Sequence, residues 1–509
     1  MQTLTLHRLL EQACQRHDQQ PALVLGERAL TYRELNQQAA ALAAGLIAKG
    51  VRRGDRVALL LRNCLEYIIA DYAIMKLGAV KVPLNDMLSA DDVGYIFEHA
   101  DVNCVVVHSS LSSLLPSASG ALLVEVVDLP ASKIAGERFE DLLATQTLCP
   151  ELEDAPDAVA AILYTGGTTG RPKGVVHTGA GFGADALAGV LAGEFSNDER
   201  ALFITPLPHA AGICLYSNWI QGGISYVETS FDADLTLDLI AQHQITWIWA
   251  VPTMIYRLLD SPRLGHTDLN SLRTILYGAA PITELRLREG LAAFGSVFLQ
   301  IYGQTECPMW VTCLSKRDHK DPKLLGSCGK AAVGAEVRIG GETGAWLPPG
   351  EAGEVCVRAP FVLKEYHHAP EQTAASFHGG WLRTGDVGYK TESGHLFLVD
   401  RAKDMIISGG MNVYSSEVEN VAQEYPGVAQ VAVIGIPDDD WGEAVHAVLV
   451  CDEEFDRAAF IDFCKQRLAK YKVPKSFSEV ASIPVTAYGK MDKKLLRAEY
   501  WHDAERAIN

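Results

Sequence analysis

Ala160-Ala161-Ile162-Leu163-Tyr164 runs directly into Thr165-Gly166-Gly167-Thr168-Thr169-Gly170-Arg171-Pro172-Lys173-Gly174. The first five residues have the short apolar run of a buried strand. In the loop that follows, glycines let backbone N–H groups approach an anion closely, threonine hydroxyls add donors, and Lys173 adds a mobile positive charge. A strand opening into such a loop reads as a polyphosphate cradle. The GxxxxGK[ST] spacing is absent and Gly174 follows Lys173, so a Walker-type NTPase is a poor fit. An isolated Gly/Thr segment is more often a flexible surface loop, but the length of this one and its Pro-Lys-Gly end argue against that.

On the amino-terminal side, residues 21–150 alternate strand-like runs (57–61, Cys104 to His108) with helical patterns (Tyr32 to Lys49, Glu66 to Leu77). That alternation predicts βαβ units and a mostly parallel sheet. It continues through 151–330, with strands expected at Ala160–Tyr164, Ala201–Thr205, Trp247–Val251 and Thr274–Tyr277. From about 331 to 400 short strands at 336–339, 354–358 and 395–399, punctuated by Gly and Pro, predict a β-rich subdomain. Beyond it, Ser416–Tyr425, Val428–Ile434 and Arg457–Leu468 predict a small α+β domain. The fold class is therefore α/β: a large N-terminal domain over 1–400 and a small C-terminal domain over 401–509, with the boundary near 400–404.

The 509 residues suffice for a large core, and 48% hydrophobic with 21% charged residues is ordinary globular composition. A net charge of −19 repels polyanions, and no basic patch offsets it, so a nucleic-acid partner is disfavoured. His7, Arg8, Glu11 and Arg16 interrupt the first apolar stretch, which argues against a signal peptide. Asp71 interrupts the apolar run Tyr67 to Met75, well short of a bilayer span. The 11 cysteines are scattered and contain no CxxC pair, which fits buried thiols in a reducing compartment, with neither a disulfide framework nor a zinc site. A cytoplasmic enzyme is expected, without a membrane partner; a homodimer is left open.

The loop strongly resembles the phosphate-binding signature of the adenylate-forming superfamily of acyl- and aryl-CoA synthetases, firefly luciferase and peptide-synthetase adenylation domains, and the resemblance covers nearly the whole chain. Gly166 stands where that family most often has serine, which removes one hydroxyl from the cradle. Ile301-Tyr302-Gly303-Gln304-Thr305-Glu306 is similar to the family's YGxTE motif. The resemblance places Thr305 at the α-phosphate and makes Glu306 the Mg²⁺ ligand, a hard-oxygen role suited to a carboxylate. Alone, a Thr-Glu pair is as readily a helix start. Tyr277-Gly278-Ala279-Ala280-Pro281 resembles the segment lying against adenine, and Thr384-Gly385-Asp386 the motif whose aspartate binds the ribose hydroxyls. The run Asp400 to Asn412 resembles the domain junction, where Arg401 touches nucleotide and Lys403 is the hinge. Lys490, following Gly489, resembles the terminal catalytic lysine, with Lys493 and Lys494 as rivals.

This resemblance implies ATP, Mg²⁺ and CoA as cofactors and a small carboxylic acid as the substrate. The acid is adenylated with loss of pyrophosphate, then transferred to CoA after rotation about Lys403 withdraws Lys490 and brings Gly409, Gly410 and Trp441 to the pantetheine channel. The acid pocket is expected from His209, Ala210, Ala211 and Gly212, with Tyr277 and Cys307; the three small residues leave room. No aspartate lies between Leu202 and Gln221 to pair a substrate ammonium, so an amino acid is disfavoured. An aromatic and a medium-chain aliphatic acid both remain open. So do two rival readings: transfer to a carrier protein, and a non-catalytic descendant of the fold.

Overall fold

The computed structural model describes residues 4–117, 120–128, 136–144, 155–165, 171–341, 344–401, 404–408, 411–438, 440–485 and 491–501. Two large sheets dominate. One has eight strands in the order Glu365–Tyr366, Lys173–Thr178, Val159–Thr165, Val80–Pro83, Arg56–Leu60, Val102–His108, Leu122–Val126, Glu137–Arg138. Its strands are parallel except at the Lys173 end, where Lys173–Thr178 is antiparallel to both neighbours. The other has nine, in the order Lys330–Ala331, Cys307–Leu314, Phe298–Gln304, Thr274–Tyr277, Trp247–Ala250, Arg200–Phe203, Ile224–Val227, Pro21–Leu25, Arg28–Thr31. It is parallel from Pro21–Leu25 to Phe298–Gln304.

Strand alternation explains the layering. Because successive side chains point to opposite faces, a strand buried on both sides feeds two cores. Val57 and Leu59 join the main core while Ala58 and Leu60 enter a second one. Likewise Ala201 and Phe203 face the main core, and Leu202 and Ile204 a third. The main core thus lies between the two sheets. Helix Leu65–Leu77 runs through it and is buried on nearly every side, which its sequence permits because apolar residues occupy most of its circumference. Its one acidic residue on the buried surface, Asp71, is neutralised: Lys81 Nζ lies 3.0 Å away and the Tyr216 hydroxyl donates at 2.6 Å.

Helix Leu6–Arg16 packs on helix Gly179–Ala192. The approach is close at Gly183, where a β-carbon would stand 2.6 Å from the carbonyl oxygen of Leu4.

The β-rich subdomain is an antiparallel sheet of Glu336–Gly340, Gly353–Arg358, Trp381–Lys390, Phe377–His378 and Leu396–Arg401. After it, Ile406–Ser408, Met411–Val413, Val428–Asp438, Gly442–Cys451 and Ser476–Glu479 form a separate sheet. Helices Ser415–Gln423 and Arg457–Arg467 close a core of their own around Val418, Val433, Val445 and Phe460. The fold is the expected one, a large α/β domain with a β-rich part and a small α+β domain. Among the described residues no helix is long and apolar enough to cross a membrane.

Candidate active site

The strand expected before the phosphate loop and the strand after it form a hairpin whose last pair is Thr165 opposite Lys173. Gly166, Gly167, Thr168, Thr169 and Gly170 lie outside the described residues. Glu365–Tyr366 adds to the free edge of Lys173–Thr178, with Tyr366 opposite Val175. This pairing sets the Tyr366 ring 5.5 Å from Lys173 Nζ, and its hydroxyl donates to Glu306 Oε1 at 2.8 Å. Burial and the Glu306 carboxylate both push the Tyr366 hydroxyl's pKa up, so it keeps its proton and remains a donor. Glu306 is also fixed through its main chain, whose oxygen accepts from Leu363 N at 2.7 Å. Nothing in the sequence around Tyr366 marks it.

Thr305 is held from beneath: its carbonyl accepts from His177 Nε2 at 2.7 Å. Burial drives His177 down to about 4, so the ring is neutral with its proton on Nε2. Beside Lys173 a cavity of about 250 Å³ is lined by Tyr95, His99, Arg171, His367 and His368.

The residues expected at the nucleoside come from strands Phe298–Gln304 and Trp381–Lys390 and from the turn after Thr274–Tyr277. Tyr302 donates to Asp386 Oδ2 at 2.6 Å, joining two expected residues 84 positions apart. Asp386 is in turn opposite Arg401 across the antiparallel pair. Gly303 sits at a register irregularity, where a β-carbon would be 2.6 Å from Met309 N. At Gly278 it would be 2.5 Å from Ile301 O, so both positions require the missing side chain. Ala279 adopts φ +65 and Met309 φ +49, conformations that cost a non-glycine residue free energy and that cluster at functional sites. Ala279 and Pro281 are exposed and Ala280 is half-buried.

Among the residues expected to line the acid, His209 interrupts a π-turn with extended backbone. Its Nε2 is 2.7 Å from Asn85 Nδ2, while Asn85 Oδ1 accepts from Met87 N at 2.8 Å. The amide nitrogen therefore faces the ring, Nε2 accepts, and the imidazole carries its proton on Nδ1. Buried Asn63 clamps the same segment, donating to Thr205 O at 2.9 Å and accepting from Leu207 N at 2.8 Å. Ala211 and Gly212 are buried, and Ala210 is half-buried.

Tyr277 is not among the residues brought together. Its side chain shares the face of Ile275, in the core on the far side of the sheet, and its hydroxyl is 3.0 Å from His319 Nε2. Cys307 is fully buried, against helix Gly179–Ala192 rather than in an open cleft. On that helix lies Asp185, outside the stretch Leu202 to Gln221 that holds no aspartate. The available signal was a lone acid in the otherwise uncharged, small-residue stretch 179–192.

In the C-terminal domain, Ile406–Ser408 pairs antiparallel with Met411–Val413, and Ser408 also pairs with Gly442. Trp441, 45% exposed, therefore adjoins the Ser408 pairing, with Lys475 Nζ 4.0 Å from its ring. Lys403, Gly409, Gly410 and Lys490 lie outside the described residues. Val485 and Met491 bridge across the segment that carries Lys490. The rival Lys493 is engaged with Glu419 Oε1 at 2.7 Å and Ser415 Oγ at 2.6 Å.

A two-domain α/β chain in which Glu306 is tied to Tyr366 beside Lys173, and Asp386 to Tyr302, fits the class of adenylate-forming enzymes. Residues 10–367 match the AMP-binding enzyme family and residues 417–490 the AMP-binding enzyme C-terminal domain, so the chain belongs to this family. It is 36% identical to the medium/long-chain-fatty-acid–CoA ligase FadD8 of Mycobacterium tuberculosis, over 98% of this chain and 91% of that protein. It is 37% identical to a feruloyl-CoA synthase of an Amycolatopsis species, over 93% of this chain and 95% of the other. Among solved structures it is similar to the o-succinylbenzoate CoA synthetase MenE of Bacillus subtilis in complex with the acyl-adenylate intermediate OSB-AMP, with a TM-score of 0.84, 32% identity and 98% coverage of both chains.

Proposed function

We propose that this enzyme is an AMP-forming acid–thiol ligase, which condenses a carboxylic acid with ATP, releases pyrophosphate and transfers the acyl group to CoA. The observation that carries the reading is the convergence of Lys173, Tyr366 and Glu306, four positions along the chain from Tyr302, which is hydrogen-bonded to Asp386. Relatives named for CoA ligation of fatty and feruloyl acids, similar over nearly the whole chain, support it.

Adenylation moves negative charge through a crowded phosphorus while pyrophosphate leaves, so the protein contributes chiefly position and neutralisation of charge. Lys173 and the loop 165–170 face the departing phosphates, and Arg171 adds a second cation beside the same cavity. Thr305, braced by His177, orients the α-phosphate, and Asp386 accepts from the ribose hydroxyls. Gly278 to Pro281 and Gly303 lie along the base. Glu306 suits Mg²⁺, because a single carboxylate steadied by a neutral tyrosine hydroxyl, together with substrate phosphates, is a normal ligand set for that ion. When bound, Mg²⁺ supplies charge neutralisation to the phosphates.

Residues 401–509 act as a mobile lid on the 1–400 domain, turning about Lys403. Lys490 serves the first half-reaction; Gly409, Gly410 and Trp441 line the approach of the thiol in the second. His209 to Gly212 line the site of an acid that is aromatic or medium-chain. The test is a pyrophosphate-exchange screen over aryl, aliphatic and amino acids, followed by thioester formation with CoA against a carrier protein. Exchange with an aryl or aliphatic acid and transfer to CoA is expected. Exchange with none of the acids would refute the reading.

A further inference from the structure

The two ends of the segment that carries Lys490 are joined. Val485 and Met491 bridge, and Asp492 N donates to Pro484 O at 2.8 Å. The chain then enters helix Lys493–Ala498, which Asp492 caps by accepting from Leu495 N at 3.0 Å. Six residues are too few to hold a helix by themselves, and Leu496 is the one residue of this helix that is buried, in a small cluster with Ala432, Ile434, Val448 and Ile483.

Two cations four positions apart, and so on one face, supply the remaining anchorage. Lys493 Nζ meets Glu419 Oε1 at 2.7 Å, and that oxygen also accepts from Val433 N at 2.8 Å. One turn further on, Arg497 Nη2 donates to Asp404 Oδ1 at 2.7 Å, with the two side chains only 14% and 15% exposed. The other guanidinium nitrogen, Nη1, is buried without a partner among the described residues. A buried ion pair satisfied in this partial way is a poor source of stability, whereas it does fix geometry. Asp404 directly follows Lys403 and stands three positions after Arg401, whose strand pairs with Asp386. The helix that follows Lys490 is therefore fastened to the chain one residue from the proposed pivot.

We propose that Arg497 is a positioning residue for adenylation: through Asp404 it holds the segment that carries Lys490 in a fixed orientation to the pivot, so that turning the domain delivers the lysine to one place. This rests on the ligase reading, in which Lys490 serves the first half-reaction and Lys403 is the hinge. Arg497 itself touches no substrate. Without its bond the helix keeps Leu496 and Lys493 but loses its tie to the pivot, and a misplacement of about 1 Å in a reacting group costs about a hundredfold in rate. The second half-reaction makes no use of Lys490 and is indifferent to the tie.

The test follows both half-reactions in the full chain, with whichever of benzoate, cinnamate and octanoate the wild type exchanges fastest, and with the acyl-adenylate of that acid plus CoA. Arg497→Gln should slow pyrophosphate exchange by about tenfold or more and leave thioester formation from the supplied adenylate within about threefold of wild type. Asp404→Asn should give the same split, Arg497→Lys should recover part of the exchange rate, and the double variant should be no slower than either single one, because the two residues act as one pair. Exchange by Arg497→Gln within about twofold of wild type overturns the proposal, as does equal loss of both half-reactions or multiplied losses in the double variant. If Arg497→Gln does not fold, Asp404→Asn and Arg497→Lys decide on the same split. Undiminished exchange by Lys490→Ala, or no exchange by the wild type with any acid, instead refutes the ligase reading beneath it.

Discussion

Tyr366 links two charged groups of the proposed phosphate site, Lys173 and Glu306, and its hydroxyl holds Glu306 in one orientation. Losing a hydrogen bond to a charged group costs about 1.5–3 kcal/mol. Tyr366→Phe should therefore slow pyrophosphate exchange by roughly ten- to a hundredfold and raise the Mg²⁺ concentration needed for half-maximal rate. An unchanged Mg²⁺ titration would mean that the tyrosine does not position the metal ligand. His177 permits a stability prediction with a definite sign. Its folded pKa of about 4 lies below the ordinary 6.5, so the unfolded chain binds the proton first. Stability is present in full above pH 6.5 and is lost as pH falls toward 4, by roughly 3 kcal/mol at most. Melting temperatures measured across that range should decline in the wild type and flatten in His177→Gln. At this scale the motif residues were legible because their spacing is distinctive. Tyr366, Asn63 and Asn85 were not, since their roles arise from strands and turns that meet across long stretches of chain.

Elements were legible wherever the apolar period is clean. The strands expected at 57–61 and Thr274–Tyr277 and the helix expected from Tyr32 fall within a residue of the observed ones, because local patterning determines them. Pairing was another matter. Pro21–Leu25 pairs with its neighbour Arg28–Thr31 along one edge but docks along the other, in parallel, on Ile224–Val227, some two hundred residues on, and no periodicity encodes that choice. The same limit explains Tyr277: its strand was evident, but the face it presents depends on which sheet lies on which side. The turn after that strand gives a paired prediction. Gly278→Ala places a methyl 2.5 Å from the Ile301 carbonyl and should cost about 1–3 kcal/mol while raising the KM for ATP. Ala279→Gly, at φ +65, relieves a left-handed backbone and should leave stability unchanged or slightly higher. Urea denaturation of both variants checks the contrast, and equal losses would contradict it.

At the scale of the molecule, the C-terminal domain has its own sheet and its own core, a requirement for any unit that turns as a body. That a small α+β unit follows the β-rich part was legible as a change of pattern; the stacking of two sheets around one shared core was not. If Lys490 serves adenylation alone, Lys490→Ala should abolish pyrophosphate exchange by the full chain. It should still convert a supplied acyl-adenylate and CoA to thioester at a rate within a few-fold of wild type. Equal loss of both half-reactions would assign the catalytic lysine elsewhere; Lys493, already engaged with Glu419, is a poor substitute.

The contact between Leu4 and Gly183 has a practical side. Leu4, Thr5 and Leu6 brace helix Gly179–Ala192 with no spare space at this point, so a single methyl group added at position 183 would have to lever that stretch outward, and the helix and the segment that crosses it can shift only in concert.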